Sequence, residues 1–384
     1  MALAVLGGPP PLVHRMLLVL LLGAGLDAAA RAAPPPAPVP QTGQAVCYGT
    51  TGTAVVSCSG TGQDGETRTG AAWPDPRFAQ NGDRTILDKL TGLVWTQDAN
   101  PAGGPKTWQE ALDYIKTLNG GNHLGRSDWR LPNVIELESL VNKQSNLAEW
   151  LQAQGFRNLQ VDSYWASTTY ASLVTCAWSV DISGGIVAGH DKEDAFFFWP
   201  VRLGEAGAVS VPQTGQITCY DRSGTAVACA GTGQDGEAQA GATWPSPRFV
   251  ENADGTMSDR LTGLAWSKDG LAPGPDVCGP GVRKTLRNAL QFVTCLNANS
   301  YLGKQDWRLP NRNELATLVH RGQADSAAWL NTQGFIRVRP ASYWSSSAFV
   351  SNPWNGWSVN LHDGAVSTCA KPHDINVWPV RGGQ

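Results

Sequence analysis

Asp128-Trp129-Arg130-Leu131-Pro132-Asn133 returns, residue for residue, as Asp306-Trp307-Arg308-Leu309-Pro310-Asn311. The proline disfavours helix at the leucine before it, and the asparagine after it is a good N-cap. Glu136 and Glu314 stand three residues further on, where a glutamate reaches back to the cap amide. Leu137, Leu140 and Val141, like Leu315, Leu318 and Val319, then supply a buried helical stripe. Each hexapeptide reads as an extended segment turning into a capped helix. The cap accounts for the two glutamates better than a role as catalytic acids.

The repetition extends outward on both sides. Gln41-Thr42-Gly43-Gln44 matches Gln213-Thr214-Gly215-Gln216, and residues 60–66 match 231–237. Leu90-Thr91-Gly92-Leu93 recurs at 261–264, and Trp199-Pro200-Val201-Arg202 at 378–381. The offset grows from 172 residues (41 to 213) to 179 (199 to 378), mostly at an insertion carrying Cys278. So long a period means tandem modules rather than a solenoid. The expected organisation is a signal peptide (1–33), a Pro-rich spacer (34–40), a first module (41–204, core 73–202), a linker (205–212) and a second module (213–384, core 244–381). Both spacer and linker are expected to carry little ordered structure.

Tryptophan follows the repeat. Of 16, fourteen pair across the copies: Trp73/Trp244, Trp95/Trp266, Trp129/Trp307, Trp150/Trp329, Trp165/Trp344, Trp178/Trp357 and Trp199/Trp378. Retention at matched places in diverged copies points to packing. Trp108 falls in a helical stripe, which leaves Trp354, in a Ser-Asn-Pro-Trp-Asn loop, as the candidate ligand contact. The net charge of −3, from 29 basic and 32 acidic residues, gives no global basis for nucleic-acid binding.

The start of the chain reads as an export signal. His14 and Arg15 precede an apolar run over 16–22, with small-residue cleavage options at 28–32. The run is shorter than the roughly 20 residues of a membrane span. Eight cysteines fit an oxidising compartment. Cys47 with Cys58 and Cys219 with Cys229 are expected to close matched hairpins, and Cys278 with Cys295 to tie the insertion to a helix. Cys176 and Cys369 remain, and an inter-module bridge between them is expected.

Within each module short strands alternate with two or three helices. Thr107 and Glu110 form a capping box ahead of the stripe Trp108, Ala111, Leu112, Ile115 and Leu118. A helix around Trp150 and Leu151 ends at Gly155, with Trp329 and Gly334 matching. Strands over 163–167 and 177–182 turn at 183–185, matched by a turn at His362-Asp363-Gly364. The apolar stretch 196–203 reads as a central strand. The fold class is α+β: two tandem modules, each a small mixed sheet with packed helices.

The motif order Asn-x-Asp, Asp-x-Leu-Thr-Gly-Leu-x-Trp, helix, Asp-Trp-Arg-Leu-Pro-Asn-x-x-Glu-Leu, Tyr-Trp, Trp-Ser-Val, Trp-Pro-Val-Arg occurs twice. It resembles the Lcl C-terminal domain family, over nearly all of each module. The resemblance implies a C-type-lectin-like fold in exported bacterial proteins tied to adhesion or glycan binding. No Gly-x-y collagen stalk is present, so trimerisation by that route is not implied. A wider likeness of Trp-Arg-Leu-Pro plus an acidic helix to formylglycine-generating enzymes keeps an oxidase reading open.

No histidine occupies matched positions in both copies, which argues against a shared acid–base or metal site built on histidine. The oxidase reading needs a reactive cysteine pair late in a module, where each copy offers one cysteine, Cys176 or Cys369. The chain is therefore expected to be no enzyme and to need no cofactor. Asn81, Asp83 and Asp88, with Asn252, Asp254 and Asp259, are weak calcium candidates, because neither trio reaches the six to eight oxygens required. Ordinary turn chemistry explains them more simply.

Asp128 with Arg130, and Asp306 with Arg308, are expected to pair internally. The resemblance directs ligand binding to the segment between the Tyr-Trp and Trp-Pro-Val-Arg strands. Candidates there are Tyr170, Asp181 and Asp191 in the first module and Asn352, Trp354, Asn355, Asn360, His362 and Asp363 in the second. Aromatic faces stack on sugar rings while amides and carboxylates bond hydroxyls. The expected partner is a glycan or an envelope or surface protein, met by an exported chain in the periplasm, at the cell surface or outside a bacterium. A structural component of the envelope is the alternative.

Overall fold

Asn133 and Asn311 cap their helices as the sequence indicates. In the computed structural model, which describes residues 1, 2, 4, 7, 8 and 34–382, the Asn133 side chain accepts from the Glu136 amide and Glu136 accepts from the Asn133 amide, both at 2.9 Å. The same box holds Arg312–Ala316 in the second copy. Glu136 has a further partner: Arg130 donates to it through both Nη1 and Nη2 at 2.5 Å. Arg130 and Asp128 therefore do not pair. The buried, cap-fixed carboxylate takes Arg130 in a fork, and Asp128 pairs instead with Arg202 at 2.9 Å. Arg308–Glu314 and Arg381–Asp306 repeat the exchange.

Thr107 and Glu110 cap the helix Trp108–Gly120, whose apolar stripe packs with Trp129, Trp165 and Phe198. Leu286–Ala298 does the same in the second copy. Leu147–Ala153 and Ser326–Thr332 follow, with Gly155 and Gly334 just beyond at φ of 101° and 100°.

Each copy carries one four-stranded antiparallel sheet. In the first its order is Phe78–Gln80, Thr85–Asp88, Leu93–Thr96, Val201–Leu203. The stretch 196–203 is thus not one central strand. Phe196 and Phe197 make isolated bridges to Lys106 and Tyr164, and only Val201–Leu203 joins the sheet, at its end. Pro200 has no N–H to give a ladder and breaks the run.

The second sheet joins the copies. Ser163–Thr169, Cys176–Asp181 and Val187–Asp191 form a meander, as do Ser342–Ala348, Asn355–Asn360 and Val366–Ala370. Val187 pairs antiparallel with Val366, making one six-stranded sheet. These two valines are equivalent residues, so the junction has the self-complementarity of a two-fold interface. One core cluster, including Leu137, Trp178, Leu315 and Trp357, runs through both copies.

The segments preceding each core also cross over. Asp64 accepts from Ser347 Oγ and Gln44 exchanges two hydrogen bonds with Ala348, so the first arm reaches the second copy. Asp235 accepts from Thr168 at 2.7 Å and Gln216 exchanges two with Thr169, so the second arm reaches the first. Each arm also touches its own copy, as where Gln144 accepts from the Ala45 and Val46 amides. Cys47–Cys58 and Cys219–Cys229 close the arms, and Cys278–Cys295 closes the insertion.

Two expectations are corrected here. The spacer and linker are packed: Ala37, Val39, Val209 and Val211 are buried, the Ala37 and Val209 amides donate to Leu261 and Leu90 of the Leu-Thr-Gly-Leu turns, and the Val39 and Val211 carbonyls accept from the Ala71 and Ala242 amides. Alternating apolar side chains cover those turns, and a Cβ on Gly92 would lie 2.1 Å from the Glu205 carbonyl. Cys176 and Cys369 are both free thiols. Antiparallel register puts them at opposite ends of the six-stranded sheet, roughly 20 Å apart along the strands at about 3.3 Å per residue. The export signal and its cleavage options lie outside the described residues.

Candidate functional site

Most of the 16 tryptophans are withdrawn from solvent. Ten are essentially fully buried, among them matched T-shaped pairs, Trp95–Trp199 at 5.4 Å and Trp266–Trp378 at 5.5 Å. Trp354 is the exception at 50% exposed. Its loop is nevertheless fixed. Asn352 Oδ1 accepts from the Trp354 amide, and the Trp354 carbonyl accepts from the Lys371 amide at 3.0 Å. The Lys371 ammonium donates to Gly49 and Gly52 carbonyls at the tip of the crossed-over arm. Asn355 lies alongside, its amide donating to Thr368.

The first copy repeats this frame without the aromatic. Lys192 donates its amide to the Thr175 carbonyl and its ammonium to Tyr220 and Asp221 carbonyls of the second arm. Thr175 occupies the place of Trp354. Burial pushes both lysine ammoniums down to about 8.

The remaining candidates serve the turns or the junction between copies. Asp181 accepts from Ser183, Asp191 from the Glu193 amide, Asn360 from the His362 amide and Asp363 from the Ala365 amide. His362 Nδ1 lies 3.4 Å from Asp325. Tyr170 packs edge-on against Trp178 at 4.8 Å. Burial, with Asp363 of the second copy beside it, raises its hydroxyl above the ordinary phenol range. The structure therefore joins Tyr170 to Asp363 and keeps Asn352, Trp354 and Asn355 together, but does not merge the two groups. Asn355 and Asn360 end opposite sides of one strand.

Nor do the calcium candidates assemble into a site. Asp83 accepts from Thr85 backbone and side chain, while Asp88 is fully buried and accepts a fork from Arg77 at 2.9 and 2.7 Å. Arg248 and Asp259 do likewise, and Asp254 accepts from Thr256. Among the described residues no three His, Cys, Asp or Glu side chains group as metal ligands. In the first arm, Asp64 is buried among Thr42 and Ser347, and Glu66 accepts from the Gly60 and Gly62 amides.

A feature not legible in either copy alone is a cleft between them, with about 860 Å³ of empty space including its open mouth. Val39, Val211, Val141, Val319, Trp73 and Trp244 form its walls as three matched pairs, and Glu138, Arg248 and Arg321 add polar groups. The inward valines of the two supposed spacers were the sequence signal for it.

Two copies of one α+β unit, sharing a sheet and exchanging arms, define a tandem-module protein whose exposed aromatic sits on a fixed loop. The chain belongs to the Lcl C-terminal domain family, whose model matches residues 84–202 and 255–381, more than half of its length. Both arms lie outside the matched segments. A comparison with curated proteins finds no match.

Proposed function

We propose that this is an exported, non-catalytic recognition protein whose second module binds a glycan or other surface ligand at Trp354. The observation that carries the reading is a half-exposed indole on a loop fixed at both amide and carbonyl, flanked by Asn352 and Asn355. A rigid aromatic face stacks on sugar C–H groups at little entropic cost, and neighbouring amides bond hydroxyls. The C-type-lectin likeness implied by the family supports the same assignment.

Three disulfides favour an oxidising compartment. No helix among the described residues is long and apolar enough to cross a membrane. The oxidase alternative needs paired reactive thiols, and Cys176 and Cys369 stand far apart in register. Glycan-array binding by the full chain, lost in Trp354→Ala, is the expected result. Equal binding by both proteins, or no binding to neutral or sulfated sugars, would favour a structural envelope role instead.

A further inference from the structure

The backbone of the junction is two-fold, with Val187 meeting its own counterpart Val366, but the side chains facing each other across it are not. Leu137 and Leu315, Val141 and Val319, and Trp178 and Trp357 are matched pairs of the shared core. Where the copies differ, the differences complement one another. Arg312, fully buried in the second copy, places Nη1 2.8 Å from Glu138 of the first and donates through Nη2 to the Gly185 carbonyl at 2.8 Å. The counterparts of Arg312 and Glu138 are Val134 and Ala316, both packed in the same core. One side of the axis holds an ion pair and the other holds two aliphatic side chains.

Arg321 reinforces the first side. Its Nη2 lies 3.7 Å from Glu138, and its guanidinium lies 4.2 Å from the Trp178 ring of the first copy. The counterpart Lys143 turns its ammonium to the Val141 carbonyl of its own copy. A second pair repeats the pattern at the rim. Tyr170 of the first copy presents its hydroxyl to the Asp363 carboxylate of the second. Their counterparts are Phe349 and Gly184, and a Cβ on Gly184 would stand 3.5 Å from Phe349 Cζ.

Both pairs would be lost if like met like. Two second modules joined in this register would set Arg312 opposite Ala316 and Asp363 opposite Phe349, twice each. Two first modules would set Glu138 opposite Val134 and Tyr170 opposite Gly184, leaving Lys143 as the cation facing each glutamate. A buried charge deprived of its partner is costly, and such mismatches are how an interface discriminates between similar surfaces. We infer that the junction is a keyed, heterotypic interface: the face of the first module takes the face of a second module in preference to a copy of itself. The key acts within one chain and equally between chains, so chains that exchange modules pair first with second. It is independent of any ligand at Trp354.

Full-length variants that make the two faces alike test the key. Val134→Arg with Glu138→Ala and Lys143→Arg gives the first module the charges of the second. Arg312→Val with Ala316→Glu and Arg321→Lys does the converse, and all six substitutions together transpose the key across the axis. In urea titrations the first triple variant should raise the unfolding equilibrium constant at least about a hundredfold. The converse triple should lose less, because a lysine faces each glutamate. The transposed chain should be more stable than either. A transposed chain that loses as much as the two triple variants together, or a first triple variant as stable as the parent, would overturn the inference.

If the buried substitutions do not fold, the half-buried rim pair decides. Gly184→Asp sets a carboxylate against the Phe349 ring and should raise the unfolding constant roughly fivefold, the share of one hydrogen bond. Adding Phe349→Tyr, which supplies the hydroxyl, should restore it, while Phe349→Tyr alone should not stabilise the parent. Equal stability of Gly184→Asp with and without Phe349→Tyr would count against a key.

Discussion

Asp64 and Asp235 are the residues whose ionisation bears most on the molecule. Each is fully buried, accepts hydroxyl hydrogen bonds from both copies, and keeps one oxygen unpartnered. Burial raises both to about 6, against the pull of the Ser347 and Thr42 hydroxyls on one and the Thr214 and Thr168 hydroxyls on the other. A carboxyl that holds its proton more tightly folded than unfolded stabilises only while protonated. That contribution is complete below about pH 4 and is lost as pH rises through 6, on the order of 3 kcal/mol per residue. Asp128, Asp254 and Asp306, all lowered, act oppositely and lose their contribution on acidification below the ordinary carboxylate range. Thermal melts should therefore peak between about pH 4 and 5, and Asp64→Asn with Asp235→Asn should flatten the fall toward pH 7. At the same scale, Trp354→Ala should change stability by under about 0.5 kcal/mol, while Trp357→Ala, from the shared core, should cost about 3–5 kcal/mol. Urea titration measures both.

Among the elements, the capped helix after each hexapeptide shows how one side chain can close two structures. Glu314 caps Arg312–Ala316 and takes the fork from Arg308, both nearly buried. Glu314→Gln should cost about 3–5 kcal/mol by leaving Arg308 unpaired. Asp306→Asn, at the half-exposed partner of Arg381, should cost at most about 1 kcal/mol. Chemical denaturation of the two variants gives the comparison, and similar losses would mean the helix does not depend on that ion pair. The cap was legible because its residues are adjacent in sequence. Arg130 and Arg308 as the second partners were not, because Asp128 and Asp306 stand closer along the chain and the choice depends on where Arg202 and Arg381 arrive.

At the scale of the whole molecule, the two copies are one folding partnership rather than beads on a linker. The chain from Pro34 onward forms one unit, held by the six-stranded sheet, the shared core and both exchanged arms. Fragments 34–204 and 205–384 made separately should each expose apolar surface and self-associate. Mixed after co-refolding, they should sediment as a 1:1 complex of native near-UV signature. Two monomeric, independently folded fragments would refute the partnership. Thiol counting on the denatured, unreduced chain should find two free cysteines.

The sequence alone determined the duplication, the capped helices, the three local disulfides and the assignment of paired tryptophans to the core. Each rests on residues near one another in the chain or on comparison of one copy with the other. It also singled out Trp354, because an unmatched aromatic in a polar loop has no packing explanation. The tertiary structure decided how the copies meet. Whether Asp64 bonds its own module or the other, whether Cys176 reaches Cys369, and whether Val39 and Val211 face solvent or a common cleft all depend on the Val187–Val366 register. A repeat is silent on that point, since the same two sequences satisfy their local rules whether the copies stand apart or share a sheet.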